Sequence, residues 1–284
     1  MAQVKATVNG AISIVNAIAT WKGATLGIES KVQATIRTSS GSGISLTSEN
    51  QNLSSRLINK VVMMSVPKKD LEKNRIEIEL SSQIPTGYGL KSSSAISSVV
   101  SLACHKIFKP NYTDEQVLSA GIDASIATKV STTGAYDDAC ACYFGGTVVT
   151  DNRMRKIIRT QKTSTTLCTI VFIPKSRKRG NIKRLTALAD VFGRAWDFAR
   201  DGSYWNAMTL NGLATSHALD TDPKIILRLI EEGALGASVS GNGPAIAAVA
   251  KKSNISNIKK VFAELEGKVI TADINNKKAT VHEL

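Results

Sequence analysis

Apolar and polar positions alternate in the first half of the chain in the way expected of strands buried on one face. Residues 31–38 and 75–80 show this alternation most clearly, and the second of them, RIEIEL, alternates strictly. Residues 4–18 are rich in β-branched side chains and predict a strand that runs into a turn. Residues 53–66 have helical spacing and stop before Pro67, which predicts a helix ending there.

A glycine- and serine-rich stretch, PTGYGLKSSSAISS at residues 85–98, separates the clearest strand from the next predicted helix, which ends near Phe108. Thr113 and Asp114 then form a plausible N-cap, with Glu115 and Gln116 behind them, for a helix that runs to about Val130. A polar, glycine-bearing turn at residues 131–139 and a strand at residues 145–150 follow.

Residues 152–166 are basic, rich in Ser and Thr and have little apolar periodicity, so we predict a domain boundary close to them, with domains at 1–160 and 161–284. The second part opens with an apolar strand at 167–174, followed by two or three helices between 181 and 232. Two paired strands, a helix near 255–266 and a strand near 268–274 complete it. This order resembles a ferredoxin-like unit with extra helices.

Composition narrows the class of protein. The 284 residues carry a net charge of +13 and 43% hydrophobic residues, which is typical of a globular protein that attracts anionic partners. The densest basic run, residues 175–179, is read as an exposed loop, with nucleic-acid binding as the lesser alternative. Aromatic residues make up only 5%, fewer than nucleic-acid stacking surfaces usually have.

Cysteine and histidine usage points to a cytoplasmic protein without structural zinc. There are four cysteines, no CxxC pair and three histidines. No stretch is long enough to span a membrane. The apolar residues 12–19 are a poor signal-peptide candidate because they are short and interrupted by Ser13 and Asn16.

The glycine–serine loop has the context of a phosphate site, since it lies between a strand and a helix whose N-terminus offers free N–H groups. Hydroxyls of Ser92, Ser93 and Ser94 are suited to phosphate oxygens or to a phosphate-bound Mg²⁺. The loop is not a Walker A motif, because Leu90 separates Gly89 from Lys91, and it lacks the third glycine of a dinucleotide-binding fingerprint. A serine-capped turn between strand and helix is the alternative.

Two further turns carry candidate chemistry. Asp137 and Asp138 follow Gly134, and such adjacent carboxylates serve either as helix caps or as groups that orient an acceptor hydroxyl and take its proton. Residues 236–244, GASVSGNGP, read as a hairpin turn on turn chemistry alone.

Taken together, these motifs resemble those of the GHMP kinases, a superfamily that includes galactokinase, homoserine kinase and mevalonate kinase. The loop resembles the second family motif, Pro-x-Gly-x-Gly-Leu-Gly-Ser-Ser-Ala, with Lys91 in place of one glycine. The resemblance implies that ATP phosphates lie across this loop and that Ser93 reaches Mg²⁺. The implied ATP-binding residues are Pro85, Gly87, Tyr88, Gly89, Leu90, Lys91, Ser92, Ser93, Ser94 and Ala95. Lys91 either adds a phosphate contact or points to solvent.

The same resemblance assigns roles elsewhere. Asp137 matches a family Gly-x-x-Asp spacing and is the favoured catalytic carboxylate, with Asp138 as the alternative. Asp123 resembles the acidic Mg²⁺ partner, although its spacing to Asp137 is long and an exposed helix acid is the simpler reading. The turn at residues 241–243 matches the third motif, which closes on the second. The first motif is the weakest match, since Asn9 stands where the family has Lys or Arg, so no catalytic lysine is carried over to that place.

Within the superfamily, residues 8–28 together with TGAYDDA, GLKSSSA and SGNGPA resemble the archaeal shikimate kinases over nearly the whole length. This resemblance implies an α+β, two-domain GHMP kinase fold, with a ribosomal-protein-like N-terminal domain and a ferredoxin-like C-terminal domain. It implies transfer of a phosphoryl group from ATP, with Mg²⁺, to the 3-hydroxyl of shikimate, and no nucleic-acid or membrane partner. The implied substrate-binding residues are Asn16, Thr133, Gly134, Gly241, Asn242 and Gly243. There are two alternatives. One is another small-alcohol kinase such as homoserine kinase, and the other is a non-catalytic phosphate- or nucleic-acid-binding protein.

Overall fold

The β-branched first segment forms one arm of a long antiparallel hairpin in the computed structural model, which describes residues 2–48, 54–177 and 180–284. Strand β1 (Gln3–Val15) pairs along its whole length with β2 (Lys22–Ser40). The strictly alternating stretch forms β4 (Asn74–Ser82), whose apolar residues are buried and whose charged residues are exposed. The residues between the two arms of the hairpin, 16–21, form the turn that enters the cleft described below.

The first sheet contains seven strands within the described residues. Because β2 is long, its second half pairs with β4 while its first half pairs with β5. The order β11-β1-β2-β4-β3 continues on one side, and β5 carries β6 on the other. The remaining strands of this sheet are β3 (Ile44–Ser48), β5 (Thr147–Asp151), β6 (Lys156–Gln161) and β11 (Thr280–Glu283).

Helices cover one face of this sheet. The longest, α3, packs on β1 and β2, and α5 packs on the same two strands from beside it. Helix α4 begins with the predicted cap, where Thr113 and Gln116 form a reciprocal capping box. Among the described residues of this part, the helices are α1 (Ser55–Ser65), α2 (Lys68–Leu71), α3 (Ser92–Phe108), α4 (Asp114–Ala127) and α5 (Tyr136–Phe144).

The second sheet has the ferredoxin-like order β10-β7-β9-β8, and all its neighbours are antiparallel. Its strands are β7 (Leu167–Pro174), β8 (Ala234–Val239), β9 (Ile246–Lys251) and β10 (Gly267–Asp273). A 3₁₀ helix at Ile182–Leu188 precedes α6 (Ala189–Arg200), α7 (Tyr204–Ala218) and α8 (Pro223–Glu231), and α9 (Ile255–Ala263) follows β9.

The two sheets share packed elements. Helix α7 contacts β8 of its own sheet and β1 of the first sheet, and α6 packs on α7 and on β1, β2 and β5. The larger apolar core includes residues of both sheets, such as Val4 in β1 and Val249 in β9. The last strand, β11, returns to pair with β1. The C-terminal segment therefore contributes to both sheets, while the division at residues 160 and 161 stays a prediction.

Four details differ from the sequence expectations. Residues 136–139, read as a turn, form the first turn of α5, and the helix after Thr113 ends at Ala127 rather than near Val130. Residues 152–166, read as irregular, contain β6, whose exposed polar side chains hide the strand periodicity. Strands β3 and β11 were not predicted. Of the predicted helix at 53–66, Leu53 lies outside the described residues, as do Lys178 and Arg179 of the basic run, whose Lys175 and Arg177 are exposed as expected.

Candidate active site

The glycine–serine loop leads directly into α3, and the residue at the start of that helix is Lys91 in the left-handed conformation (φ 62°, ψ 22°). No side chain in the described part of the chain caps this helix, so the serine-capped turn does not form. Ser92, Ser93 and Ser94 instead line a cleft of about 380 Å³. The unpaired N–H groups of the first turn of α3, with the positive end of the helix dipole, are therefore available to an anion in this cleft.

The turn at residues 240–245 packs against the loop. The Ser240 hydroxyl donates a hydrogen bond to the carbonyl of Gly89 (2.9 Å), and the Ala245 N–H donates one to the carbonyl of Tyr88 (3.1 Å). Gly89 has φ +83°, and a Cβ there would overlap the carbonyl oxygen of Ser240. Only glycine fits this position, because it permits both the backbone conformation and the close approach of the two turns.

Two carboxylates enter the cleft from the first turn of α5. Asp137 and Asp138 both line it, and Asp137 is almost completely buried. The Asn152 amide donates to Asp137 Oδ1 (2.7 Å) and accepts from the Asp137 N–H (3.1 Å), which fixes the carboxylate from two sides. The Thr25 hydroxyl lies 3.1 Å from both Asp137 Oδ2 and Asp138 Oδ1. A hydroxyl has one proton, so it bonds one carboxylate at a time.

A small residue on β2 makes room for this arrangement. A Cβ at Gly23 would collide with Asp137 Oδ2, so the strand can approach the carboxylate only because it has no side chain there. Gly23, Thr25 and Asn152 therefore form the surroundings that hold Asp137 in place.

Lys91 faces the carboxylates rather than solvent. Its Nζ lies 2.6 Å from Ser13 Oγ and 3.1 Å from Asp138 Oδ1, and only 5% of its side chain is exposed. The Ser13 hydroxyl also accepts the N–H of Gly241 (3.1 Å). Lys91 thereby connects the phosphate loop, β1, the acidic helix start and the third glycine turn. The alternative in which Lys91 points to solvent is wrong.

The environment of Asp137 raises its pKa from 3.8 to about 7. Burial is the largest cause, since it disfavours the charged form, and the neighbouring charge of Asp138 adds to it. The Lys91 ammonium and the hydrogen bonds from Asn152 and Thr25 act in the opposite direction. A carboxyl group with a pKa near neutrality is suited to accept a proton from a hydroxyl and later release it.

The structure brings most of the predicted site residues into this one cleft. Its lining includes the predicted residues Asn16, Gly87, Gly89, Lys91, Ser92, Ser93, Ser94, Thr133, Asp137, Asp138, Gly241 and Asn242. Leu90 and Ala95 lie in the apolar core, and Tyr88 packs against it beneath the guanidinium of Arg177, 5.2 Å from the ring centre. Pro85, Gly134 and Gly243 do not line the cleft, so their place is in shaping the turns around it.

Two predicted roles change on inspection of the geometry. Asp123 does not line the cleft, and its half-exposed carboxylate pairs with Arg155, so the structure does not bring this metal candidate to the phosphates. Asn16 lines the cleft, but its amide donates to the Gly241 carbonyl (2.8 Å) and accepts from the Ile18 N–H (2.9 Å). Its side chain therefore ties the end of β1 to the third turn, which is the strand-end role.

Sequence reasoning missed several residues of the site. Ser13 and Lys129 line the cleft, and Thr25 and Asn152 bond the carboxylates. Asn152 lies at the end of β5, in the segment read as a domain boundary, and Thr25 and Ser13 look like ordinary strand residues in the sequence. Pairing of β2 with β1 and with β5 brings these residues together, so no local signal marks them.

Comparisons with known proteins identify the family of this chain. Residues 52–146 match the family described as the GHMP kinases N terminal domain, which covers the loop and the acidic helix start. Over 277 residues the chain is 36% identical to the shikimate kinase of Methanosarcina mazei, covering 95% of this chain and 94% of that protein. It is 31% identical to the shikimate kinase of Methanothermobacter thermautotrophicus over the full length of both.

The chain belongs to the archaeal shikimate kinase family of GHMP kinases. A solved homoserine kinase from Cytophaga hutchinsonii shares the fold, with a TM-score of 0.76 over 99% of this chain and 97% of that one, at 17% identity. The predicted α+β GHMP kinase fold is therefore confirmed. As a member of a kinase family, the protein has ATP as its phosphoryl donor. No helix in the described residues of this GHMP kinase has the length and apolarity to cross a membrane.

The cleft of this GHMP kinase fits a magnesium ion that arrives with ATP rather than one held by the protein alone. No group of three or more His, Cys, Asp or Glu side chains within the described residues could form a metal cage. Mg²⁺ in nucleotide sites usually takes one or two protein oxygens, and phosphates and water supply the others. The Ser93 hydroxyl at the start of α3 is such an oxygen in the cleft lining.

Proposed function

We propose that this protein is a shikimate kinase, which transfers the γ-phosphoryl group of ATP to the 3-hydroxyl of shikimate. One observation carries the proposal: the buried carboxylate Asp137 shares a cleft with the open N-terminus of α3. A proton acceptor and a phosphate cradle in the same cleft are the two parts that transfer to an alcohol requires. The archaeal relatives of similar length, named shikimate kinases, support the choice of acceptor.

The donor lies with its phosphates over the loop from Gly87 to Ser94. The first-turn N–H groups of α3 and the hydroxyls of Ser92 and Ser94 contact phosphate oxygens, where they stabilise negative charge without reorganising during the reaction. Ser93 holds the Mg²⁺ that accompanies ATP. When bound, this ion neutralises charge on the phosphates of the donor.

The acceptor lies between the phosphates and the start of α5. Asp137 orients the 3-hydroxyl and takes its proton as that oxygen attacks the γ-phosphorus in line with the departing ADP oxygen. One P–O bond forms, the bond to ADP breaks, and the proton rests on Asp137 until it leaves to solvent. The pKa near 7 that burial gives Asp137 fits a group that gains and loses this proton around neutrality.

Recognition of shikimate requires a cation for its carboxylate and polar partners for its hydroxyls. Two lysines, Lys91 and Lys129, line the cleft, and Lys91 is paired with Asp138. We assign the acceptor carboxylate to Lys129, which has no carboxylate partner within the described residues. Thr133 and Asn242, both in the cleft lining, are assigned to the hydroxyls.

The cellular setting is proposed from the chemistry. All four cysteines are free and buried, which suits the reducing cytoplasm where ATP is available. Two carboxylates in the cleft repel a nucleic-acid backbone unless a metal intervenes, so a small-molecule acceptor is the better partner.

An acceptor panel tests the proposal. ADP release is measured in a coupled assay with MgATP and shikimate, homoserine or mevalonate in turn. We expect release with shikimate at a kcat/KM at least about 100-fold above the other two, because a site built to bond specific hydroxyls rejects acceptors that lack them. Release with homoserine and not with shikimate would refute the acceptor assignment. Absence of release with all three would favour a binding protein without catalysis.

A further inference from the structure

Lys91 combines a strained backbone with a buried charge. Its φ of +62° lies in the left-handed region, which is unfavourable for a residue with a side chain and natural for glycine. Burying an ammonium group is also unfavourable unless the group is paired. Lys91 keeps the unfavourable backbone conformation, and its buried ammonium is paired with Asp138 and Ser13. A lysine held in this way next to a phosphate loop points to a use for its charge.

The ammonium group is held on two sides and open on the third. Its Nζ donates a hydrogen bond to Ser13 Oγ (2.6 Å) and forms an ion pair with Asp138 Oδ1 (3.1 Å), and a lysine ammonium has three N–H donors in all. No third protein acceptor is within reach among the residues that the structure describes. Since Lys91 also lines the cleft, the third N–H is available to a group bound there.

The position of this N–H relative to the rest of the site decides which group it meets. Asp138 is next to Asp137 on the first turn of α5, while Ser92 follows Lys91 on the first turn of α3. A Cβ at Gly241 would come within 2.9 Å of Lys91 Nζ, so the third glycine turn covers the ammonium group from outside. The Nζ therefore lies between the phosphate-binding helix end and the carboxylates, where the phosphoryl group must pass from donor to acceptor.

We propose that Lys91 is a catalytic cation: its free N–H contacts an oxygen of the transferred phosphoryl group while Asp138 and Ser13 hold the ammonium in place. The proposal rests on the kinase activity proposed above and specifies which side chain stabilises the negative charge on the phosphoryl group during its transfer. Lys91 exchanges no proton in this step. Asp138 acts as its positioning partner, which leaves Asp137 as the carboxylate that takes the acceptor proton.

A glycine variant separates this role from a structural one. Lys91→Gly removes the ammonium and also relieves the left-handed strain, so the backbone of the loop is retained. We expect kcat to fall by about 100- to 1,000-fold, the loss typical of removing one charge-stabilising donor. Binding of a non-hydrolysable ATP analogue, measured by calorimetry, is expected to weaken about tenfold while ADP affinity stays within twofold, because only the ATP analogue carries the γ-phosphate.

Small primary amines provide a second readout. Ethylammonium or propylammonium should raise the kcat of Lys91→Gly by at least about tenfold, since each supplies N–H donors in the vacated space. This increase should reach a plateau as the amine concentration rises. Tetramethylammonium at the same ionic strength has no N–H and should restore nothing. Loss of turnover that all cations relieve equally, or that none relieves, would contradict a direct hydrogen bond from Lys91.

Two further variants complete the test. Arg155→Gly makes a similar change at another left-handed basic residue that lies outside the cleft, and its kcat should equal that of the wild type. In Lys91→Met/Asp138→Asn the buried charges are removed as a pair, and kcat should stay low. A kcat of the double variant within about threefold of the wild-type value would show that Lys91 only neutralises the charge of Asp138. That result would overturn the proposal.

The outcomes remain distinct from those of the acceptor test. The Lys91 measurements use whichever acceptor in the panel gives turnover. A wild-type enzyme that phosphorylates homoserine would refute the shikimate assignment and leave the Lys91 result valid. A Lys91→Gly enzyme with wild-type kcat and wild-type discrimination between the ATP analogue and ADP would refute the Lys91 proposal alone.

Discussion

The buried carboxylate of Asp137 should make the folded protein less stable at neutral pH than at acidic pH. Asp137 has a pKa of about 7 in the folded protein against 3.8 for the ordinary group. Between pH 3.8 and pH 7, therefore, Asp137 is mostly protonated in the folded state and mostly ionised in the unfolded state. The stability that this proton contributes is full below pH 3.8 and is lost as pH rises through 7.

Asp137→Asn removes this dependence while it keeps the shape of the side chain. Between pH 5 and pH 8 the wild type loses about 2 to 3 kcal/mol of unfolding free energy from this one group, since about two pH units lie between pH 5 and the pKa and each is worth about 1.36 kcal/mol. The amide does not titrate. We therefore expect the stability of the variant relative to the wild type to increase by about 2 to 3 kcal/mol from pH 5 to pH 8.

Urea denaturation of both proteins at pH 5, 6, 7 and 8 measures this difference, and all other titrating groups cancel in it. The control is Asp123→Asn, the same chemical change at a half-exposed carboxylate outside the cleft, for which the change with pH should be smaller than for Asp137→Asn because this side chain is not buried. In the same samples Asp137→Asn should reduce kcat about 10²- to 10⁴-fold. A stability difference that does not change with pH would refute the reasoning, and full loss of turnover in Asp138→Asn instead would move the proton acceptor by one residue.

Three other changes have defined outcomes. Gly89→Ala should lower the free energy of unfolding, measured in urea, by about 2 to 4 kcal/mol, because the added Cβ overlaps the Ser240 carbonyl. Gly43→Ala is the control: Gly43 has φ +107° but open space around it, so the loss should be only about 1 kcal/mol. Equal losses would contradict the clash. Thr25→Val removes a hydrogen bond that lowers the pKa of Asp137, so that pKa should rise and the acidic limb of the kcat/KM profile should move to higher pH; movement to lower pH would refute this role. Asp123→Asn should leave the Mg²⁺ concentration for half-maximal rate within about twofold, since Asp123 pairs with Arg155 outside the cleft; a rise of tenfold would restore it as a metal ligand.

Much of the fold follows from the sequence because its signals are local. Strict alternation marks β4, and Thr113 with Gln116 marks the start of α4. The strands that were missed, β3, β6 and β11, are short. The side chains of β3 are mostly half-buried and those of β6 and β11 mostly exposed, so none of the three has the fully buried face that leaves a periodic pattern. Their place in the sheet is set by pairing with partners far along the chain.

The site divides in the same way. The phosphate loop and the acidic pair are contiguous motifs, and the structure places them in one cleft. The residues that tune them come from elsewhere: Thr25 from β2 and Asn152 from the end of β5. The direction of the Lys91 side chain depends on a left-handed backbone angle and on Ser13 across the cleft. Such geometry arises only from tertiary packing, so the sequence identifies Lys91 as unusual without indicating its contacts.

The identity of the phosphorylated product tests the central claim most directly. The protein is incubated with MgATP and shikimate, and the product is analysed by ³¹P and ¹H NMR, with Asp137→Asn as the matched control. We predict one new phosphate monoester, coupled to the proton on carbon 3 of shikimate, formed in equal amount to ADP and nearly absent with the variant. ADP formed without a phosphorylated shikimate, or a phosphate on another hydroxyl, would contradict the account.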